Sequence, residues 1–146
     1  LGDFAVKARD LMEALQRADP DSTRPAEPLS KAFNNLGRYH AAQGRRAEAL
    51  AAHRRSIEVK LAKPSDDPEG EYNLACYRAL ALSVAGGATR NEREALATAA
   101  MGGLRRAVAG GLTDVDLYRT DSDLDSLRGR DDFRQFMNDL TARPSP

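Results

Sequence analysis

The chain has 146 residues, enough for one domain with a single buried core. Its 22 Lys and Arg residues balance 22 Asp and Glu residues, so no net charge draws the chain to nucleic acid or an anionic membrane. Its single cysteine, Cys76, excludes an intrachain disulfide and suits a reducing compartment, so we expect a cytoplasmic protein. Apolar stretches such as residues 79–85 are far too short to span a bilayer, so no membrane insertion is expected.

The first predicted element is a helix over residues 1–18, in which Leu11, Leu15 and Ala18 form one apolar stripe. A polar, proline-containing connector follows over residues 19–27. The chain begins with leucine rather than methionine, which we interpret as a boundary inside a longer protein. The opening helix is therefore expected to be the second half of a truncated structural repeat.

A helical hairpin is predicted for residues 28–62. Pro28 suits a first helical turn, where its missing N–H has no helical acceptor. Gly44 ends the first helix, and the second is expected from about Arg45 to Ala62, just before Pro64.

A second hairpin is predicted for residues 67–109. Asp67 supplies a capping carboxylate, and an insertion over residues 86–94 separates the two helices. The second helix contains Gly102-Gly103, which costs helix stability, and close helix packing or a local kink explains this pair better than a ligand site.

The remaining residues, 113–142, are expected to form short helices and an amphipathic capping helix. The final helix carries an apolar stripe with spacing i, i+3, i+4 and i+7, made of Phe133, Phe136, Met137 and Leu140. Sustained alternation with a period of two residues is absent from the sequence, so the predicted class is all-α.

The two hairpins share a repeated motif. Phe33-x2-Leu36-Gly37-x2-His40 followed by Ala49-x3-His53 fits the tetratricopeptide pattern, in which small residues allow the two helices to approach. Tyr72-Asn73-Leu74-Ala75 repeats Asn34-Asn35-Leu36-Gly37 at a distance of 38 residues, somewhat longer than the period of about 34 residues of this family.

These motifs resemble tetratricopeptide repeats, in particular those of kinesin light chains. The segment Tyr72-Asn73-Leu74-Ala75-Cys76, together with residues 104–108 and 120–128, is similar to the C-terminal repeat arrays of multidomain bacterial serine/threonine kinases. The resemblance implies antiparallel hairpins stacked as a short right-handed α-solenoid and closed by the C-terminal helix. It also implies one tetratricopeptide-like domain over residues 1–146.

The candidate metal ligands are few. His40 and His53 replace aromatic residues of the repeat and are expected to face each other as half-buried packing residues rather than to bind zinc. Asp121-x-Asp123-x-Asp125 resembles the start of a calcium loop, but Ser126 stands where the loop needs glycine. We therefore expect these aspartates to cap helices and turns, with no metal or other cofactor.

Catalytic motifs are equally poorly supported. Cys76 lacks an evident base and is expected to fill space as a small apolar side chain. The sequence has no glycine-rich phosphate loop, no serine nucleophile elbow and no kinase catalytic loop. We do not expect this chain to be an enzyme, although its parent protein could contain a kinase domain.

The expected function is binding of a partner protein or peptide. The resemblance assigns the concave groove to the first helix of each repeat, which here implicates Lys31, Asn34, Asn35, Arg38, Tyr72, Asn73 and Cys76. Asn side chains can bind a peptide backbone through both donor and acceptor, and the two cations favour an acidic or C-terminal carboxylate partner. Two alternatives remain open: a regulatory region of a bacterial serine/threonine kinase or other signalling enzyme, and a spacer or homodimerisation module that uses Phe133, Phe136 and Met137.

Overall fold

A computed structural model describes residue 10 and residues 27–143 of the chain. The described residues form α1 (Glu27–Ala42), α2 (Arg46–Ala62), α3 (Pro68–Ser83), α4 (Arg90–Ala109), α5 (Val115–Thr120), a 3-10 helix (Ser122–Leu127) and α6 (Asp131–Thr141). The described residues are helical without any strand, which confirms the all-α class. Contacts divide the chain into two compact units, unit 1 (residues 1–64) and unit 2 (residues 65–146).

The predicted N-terminal elements lie almost entirely outside the described residues. This applies to the helix over residues 1–18, except for residue 10, and to the connector 19–27, except for Glu27 at the start of α1.

Unit 1 contains the α1–α2 hairpin, and its turn forms where the sequence predicts it. Gly44 adopts a φ of 75°, which suits a residue without a Cβ, and the N–H of Arg45 then donates to the carbonyl of His40 at 2.9 Å. The apolar side chains between the helices are buried, including Phe33, Leu36 and Ala49. The Arg55 guanidinium covers the Phe33 ring at 5.6 Å from the ring centre.

Unit 2 begins with the α3–α4 hairpin, whose helix starts are locally encoded. The Asp67 carboxylate accepts a hydrogen bond from the Gly70 N–H at 2.5 Å, and Pro68 occupies the first turn of α3. The Thr89 hydroxyl accepts from the Glu92 N–H at 3.1 Å and caps α4. Since α4 starts at Arg90, the later part of the predicted 86–94 insertion belongs to this helix.

The glycine pair of α4 has one packing role. A Cβ on Gly103 would lie 3.2 Å from the Ala75 Cβ and 3.2 Å from the Glu71 carbonyl oxygen, so α3 and α4 are close together there. A Cβ on Gly102 would meet only the flexible Arg106 side chain, at 3.2 Å. The prediction of close helix packing is therefore confirmed, and Gly103 carries it.

The three C-terminal helices complete the core of unit 2. Asp114 caps α5 by accepting from the Asp116 N–H at 3.1 Å, and Gly111 precedes it with a φ of 112°. The buried side chains of α5, the 3-10 helix and α6 join those of α3 and α4 in one apolar cluster, which includes Tyr118, Leu124, Leu127, Phe133, Phe136 and Leu140. The predicted apolar stripe of the last helix therefore lies against the core of unit 2.

Candidate functional site

One face of α1 is exposed and polar. Lys31, Asn35 and Arg38 have the spacing i, i+4 and i+7, so they lie in one row, and all three side chains are exposed. The opposite side of the same helix is buried against α2. The hairpin therefore fixes the direction in which these three predicted groove residues point.

Asn34 lies on the buried side of α1, unlike its neighbour Asn35. Its side chain is 4% exposed, and its Oδ1 accepts a hydrogen bond from the His53 Nδ1 of α2 at 2.8 Å. Adjacent helical residues point in directions about 100° apart, and Asn34 belongs to the inward row with Ser30 and Gly37. Asn34 thus holds the hairpin together instead of facing a ligand.

The buried row of unit 1 is unusually polar. The Ser30 hydroxyl donates to the Ser56 carbonyl at 3.2 Å, and the Ser56 hydroxyl donates to the Ser30 carbonyl at 2.8 Å. These reciprocal bonds satisfy side chains that are fully buried between α1 and α2. They also fix the register of the two helices, because each serine must face the backbone of the other.

His53 is the most constrained side chain in this row. Its ring is 1% exposed, and a Cβ on Gly37 would lie 2.6 Å from the ring Cε1 atom. Burial, with a smaller effect from the nearby positive charge of Arg38, lowers the His53 pKa to about 4. His53 is therefore neutral at physiological pH and serves as a packing residue.

His40 does not pair with His53 as the sequence suggested. It is only partly buried, and its Nδ1 lies 3.4 Å from the Arg45 guanidinium at the end of the hairpin. The two histidines thus have separate partners, Arg45 and Asn34.

Two of the predicted groove residues in unit 2 are buried beside Asp121. The Tyr72 hydroxyl donates to Asp121 Oδ2 at 2.5 Å, and the Cys76 Sγ lies 3.9 Å from the same oxygen. Burial first, and then the hydrogen bond to Asp121, raise the pKa of Tyr72 well above its usual value. Asn73, the third predicted groove residue of α3, is partly exposed.

The sequence predicted only one of the two roles of Asp121 in this cluster. Its second oxygen, Oδ1, accepts from the Asp123 N–H at 3.0 Å and caps the 3-10 helix, as the sequence predicted. Its bond to Tyr72 joins residues 49 positions apart, and no local pattern indicates such a pairing.

The same cluster has the composition of a possible metal site. Ligand atoms of Cys76, Asp121 and Asp123 lie within 4.8 Å of one another. Both oxygens of Asp121 already accept hydrogen bonds, one from Tyr72 and the other from the backbone of the 3-10 helix. This arrangement is explained by capping and by attachment of the 3-10 helix to α3.

Asp125 of the calcium-like motif and the nearby Asp132 have separate partners. Asp125 pairs with Arg128 at 2.9 Å, and Asp132 pairs with Arg130 at 2.9 Å. Arg130 also reaches Glu94 at 2.9 Å, and the hydrogen bonds from Arg130 lower the pKa of Asp132 and of Glu94. Asp121 confirms the predicted capping role, whereas the contacts of Asp125 and Asp132 are ion pairs with arginines.

Comparison with known proteins gives no match: no family model, no curated protein and no solved structure is similar to this chain at a significant level. Within the part of the chain that the structure describes, none of the helices combines the length and the apolar character needed to cross a membrane.

Proposed function

We propose that this chain is a protein-binding module of the tetratricopeptide type. The α1–α2 hairpin supports the proposal, because two antiparallel helices pack through Gly37 and Ala49 at positions where the repeat motif has small residues. Stacking of its hairpins as a right-handed α-solenoid is part of the same proposal. Because the sequence lacks catalytic motifs, we propose binding rather than catalysis as its role.

The observation that carries the proposal is the exposed row on α1. Lys31, Asn35 and Arg38 offer two cations and an amide along a helix whose other side is fixed by packing. An amide can bind both the N–H and the C=O of a peptide backbone, and a guanidinium can bind a carboxylate through two hydrogen bonds. The row therefore favours an acidic peptide, or a peptide that ends in a free carboxylate. Since Asn34, Tyr72 and Cys76 are buried, the proposed contact surface is narrower than the one expected from the sequence.

The proposal is tested by selecting peptides from a random display library against the full chain and measuring their affinity by calorimetry. We expect selected peptides to be acidic and to lose about tenfold in affinity with Lys31→Glu plus Arg38→Glu. Asn35→Ala should weaken the same peptides without changing the net charge. The matched controls are Arg46→Glu plus Arg54→Glu, which reverse two exposed charges of α2, and Asn138→Ala on α6. Peptides that bind all variants equally well would exclude the α1 row as the binding surface.

The structure does not favour the dimerisation alternative. Phe133 and Phe136 are 3% and 5% exposed, and both belong to the core of unit 2. Most of both rings is therefore covered within one chain, and they do not offer the broad apolar face that a stable dimer buries.

A further inference from the structure

A second candidate surface lies in unit 2, on helices that the proposed function does not use. A cleft of about 220 Å³ is formed between the C-terminal half of α4 and α6. Its apolar lining comes from Val108, Phe136 and Leu140, which belong to the core of the unit. Arg105, Ala109, Gln135, Asp139 and Arg143 complete the wall and the rim.

Two arginines at this cleft, unlike most other arginines of unit 2, form no ion pair among the described residues. Arg105 and Arg143 are exposed, and among the described residues neither forms an ion pair with a carboxylate. The positive charge of Arg105 helps to lower the pKa of Asp132 without a direct contact. The Asp132 carboxylate accepts its hydrogen bonds from Arg130. Five other arginines of unit 2 do form ion pairs: Arg106, Arg119, Arg128, Arg130 and Arg134. The cleft thus combines an apolar floor with two guanidinium groups that pair with no carboxylate of residues 27–143.

The one acidic side chain at the cleft has a different partner. Asp139 Oδ1 accepts a hydrogen bond from Gln135 Nε2 at 2.8 Å, along the same face of α6. Two arginines and one aspartate leave the rim with an excess of one positive charge. The surface is therefore complementary to an acidic partner, and Asp139 limits that complementarity.

The size of the cleft limits what can enter it. Pockets that enclose a whole small-molecule ligand usually have about 300–1,000 Å³, so a cleft of about 220 Å³ suits one apolar side chain. A single anchoring side chain in an apolar pocket, surrounded by polar contacts, is a common arrangement at protein interfaces. Guanidinium groups on the rim would then select a carboxylate next to the anchor.

We propose that the α4–α6 cleft docks an acidic segment of a partner protein. The segment inserts one apolar side chain over Phe136 and Leu140, and an adjacent Asp or Glu pairs with Arg105 or Arg143. This surface shares no residue with the α1 row, so the proposal does not rest on the function proposed above.

The first experiment measures the binding of three short peptides to the full chain by fluorescence anisotropy at low salt. Each peptide is acetylated and amidated, and the central pair of residues is Leu-Glu, Ala-Glu or Leu-Lys in a Gly-Ser background. We expect the Leu-Glu peptide to bind about tenfold more tightly than either of the others. Amide shifts in NMR spectra should then be largest around Ala109 and Gln135. No measurable binding of the Leu-Glu peptide, equal binding of all three, or shifts confined to unit 1 would overturn the proposal.

The second experiment uses variants at exposed positions, which leave the core intact. Arg105→Glu plus Arg143→Glu should reduce the affinity for the Leu-Glu peptide about tenfold, whereas Asp139→Asn should increase it about twofold. Ala109→Leu should obstruct the cleft and abolish binding without any change in charge. The control Arg90→Glu plus Arg119→Glu reverses two exposed charges of unit 2 outside the cleft and should have little effect. An equal loss in this control would show general electrostatic attraction and would contradict a specific site.

Discussion

The two helical hairpins use different chemistry in their interiors. Between α1 and α2, a row of hydrogen bonds runs through Ser30, Asn34, His53 and Ser56, all of them buried. Between α3 and α4, small and apolar side chains dominate, and Ala75, Ala100 and Leu104 are fully buried. A buried polar row specifies one register because each donor needs its acceptor, whereas small apolar contacts allow close approach with a weaker preference for register.

Equivalent positions of the two hairpins show how the sequence changes the contact. Asn34 and Tyr72 are 38 residues apart, and both are buried and hydrogen-bonded. Asn34 bonds within its own hairpin, to His53, while Tyr72 bonds to Asp121 in the 3-10 helix. The repeated motif therefore keeps the position buried, but the residue type decides which part of the chain it holds.

The largest expected difference between the two hairpins is in how their stability changes as the pH is lowered. His53 has a pKa of about 4 in the folded chain against 6.5 for the free side chain, so the unfolded chain binds the proton first. Between pH 6.5 and 4, the free energy of unfolding of unit 1 should fall by roughly 3 kcal/mol as the pH is lowered. Above pH 6.5 this contribution should not change. Residue-resolved hydrogen exchange of the α1–α2 amides measures the loss.

The control for this prediction is His53→Gln, which removes the titrating group. The difference in pH dependence between the original chain and this variant isolates the His53 contribution from that of the carboxylates. Both histidines of the chain lie in unit 1, so unit 2 should show no comparable change above pH 5. Parallel pH profiles of the two proteins in α1 and α2 would contradict the assignment.

The Tyr72→Phe substitution should produce the next largest effect, and it acts in unit 2. It removes the hydroxyl that donates to Asp121 Oδ2, and a hydrogen bond to a charged group contributes about 2 kcal/mol. Urea denaturation should show this loss, together with faster hydrogen exchange in the 3-10 helix. Tyr39→Phe, at a partly buried tyrosine of unit 1, is the matched control and should change stability little. Equal effects of the two substitutions would mean that the Asp121 bond is not the source.

The smallest expected effect compares two glycines inside helices. An alanine is favoured over glycine in a helix by about 1 kcal/mol, but at Gly37 its Cβ would collide with the His53 ring. The expected cost of overpacking exceeds that gain, so Gly37→Ala should lower the melting temperature, by the equivalent of about 1 kcal/mol. At Gly102 an alanine Cβ would meet only the end of the Arg106 side chain, at 3.2 Å, so Gly102→Ala should raise the melting temperature. A rise in both variants would show that the α1–α2 interface is looser than described.

Local features of the fold were predictable from the sequence, and non-local ones were not. The helix start at Asp67 depends on a residue three positions away, so composition and spacing indicate it. The cap at Thr89 is equally local, but the predicted insertion over residues 86–94 missed it. The inward direction of Asn34 also follows from helical periodicity with Ser30 and Gly37, although the repeat motif alone treats it like Asn35. The contact of Tyr72 and Cys76 with Asp121 depends on how the C-terminal helices fold back, which no local spacing encodes. The α4–α6 cleft could not be predicted from the sequence for the same reason.

The core of unit 2 combines side chains of the α3–α4 hairpin with aromatic side chains from the C-terminal helices. This has a consequence for synthesis on the ribosome. Chains emerge from the N-terminal end, and the α3–α4 hairpin is complete before Tyr118, Phe133 and Phe136 have been made. Until these aromatic residues arrive, the buried face of the hairpin is open to water and to other nascent chains. We therefore expect a chain that ends at Gly111 to leave this face uncovered and to aggregate more readily than the full chain.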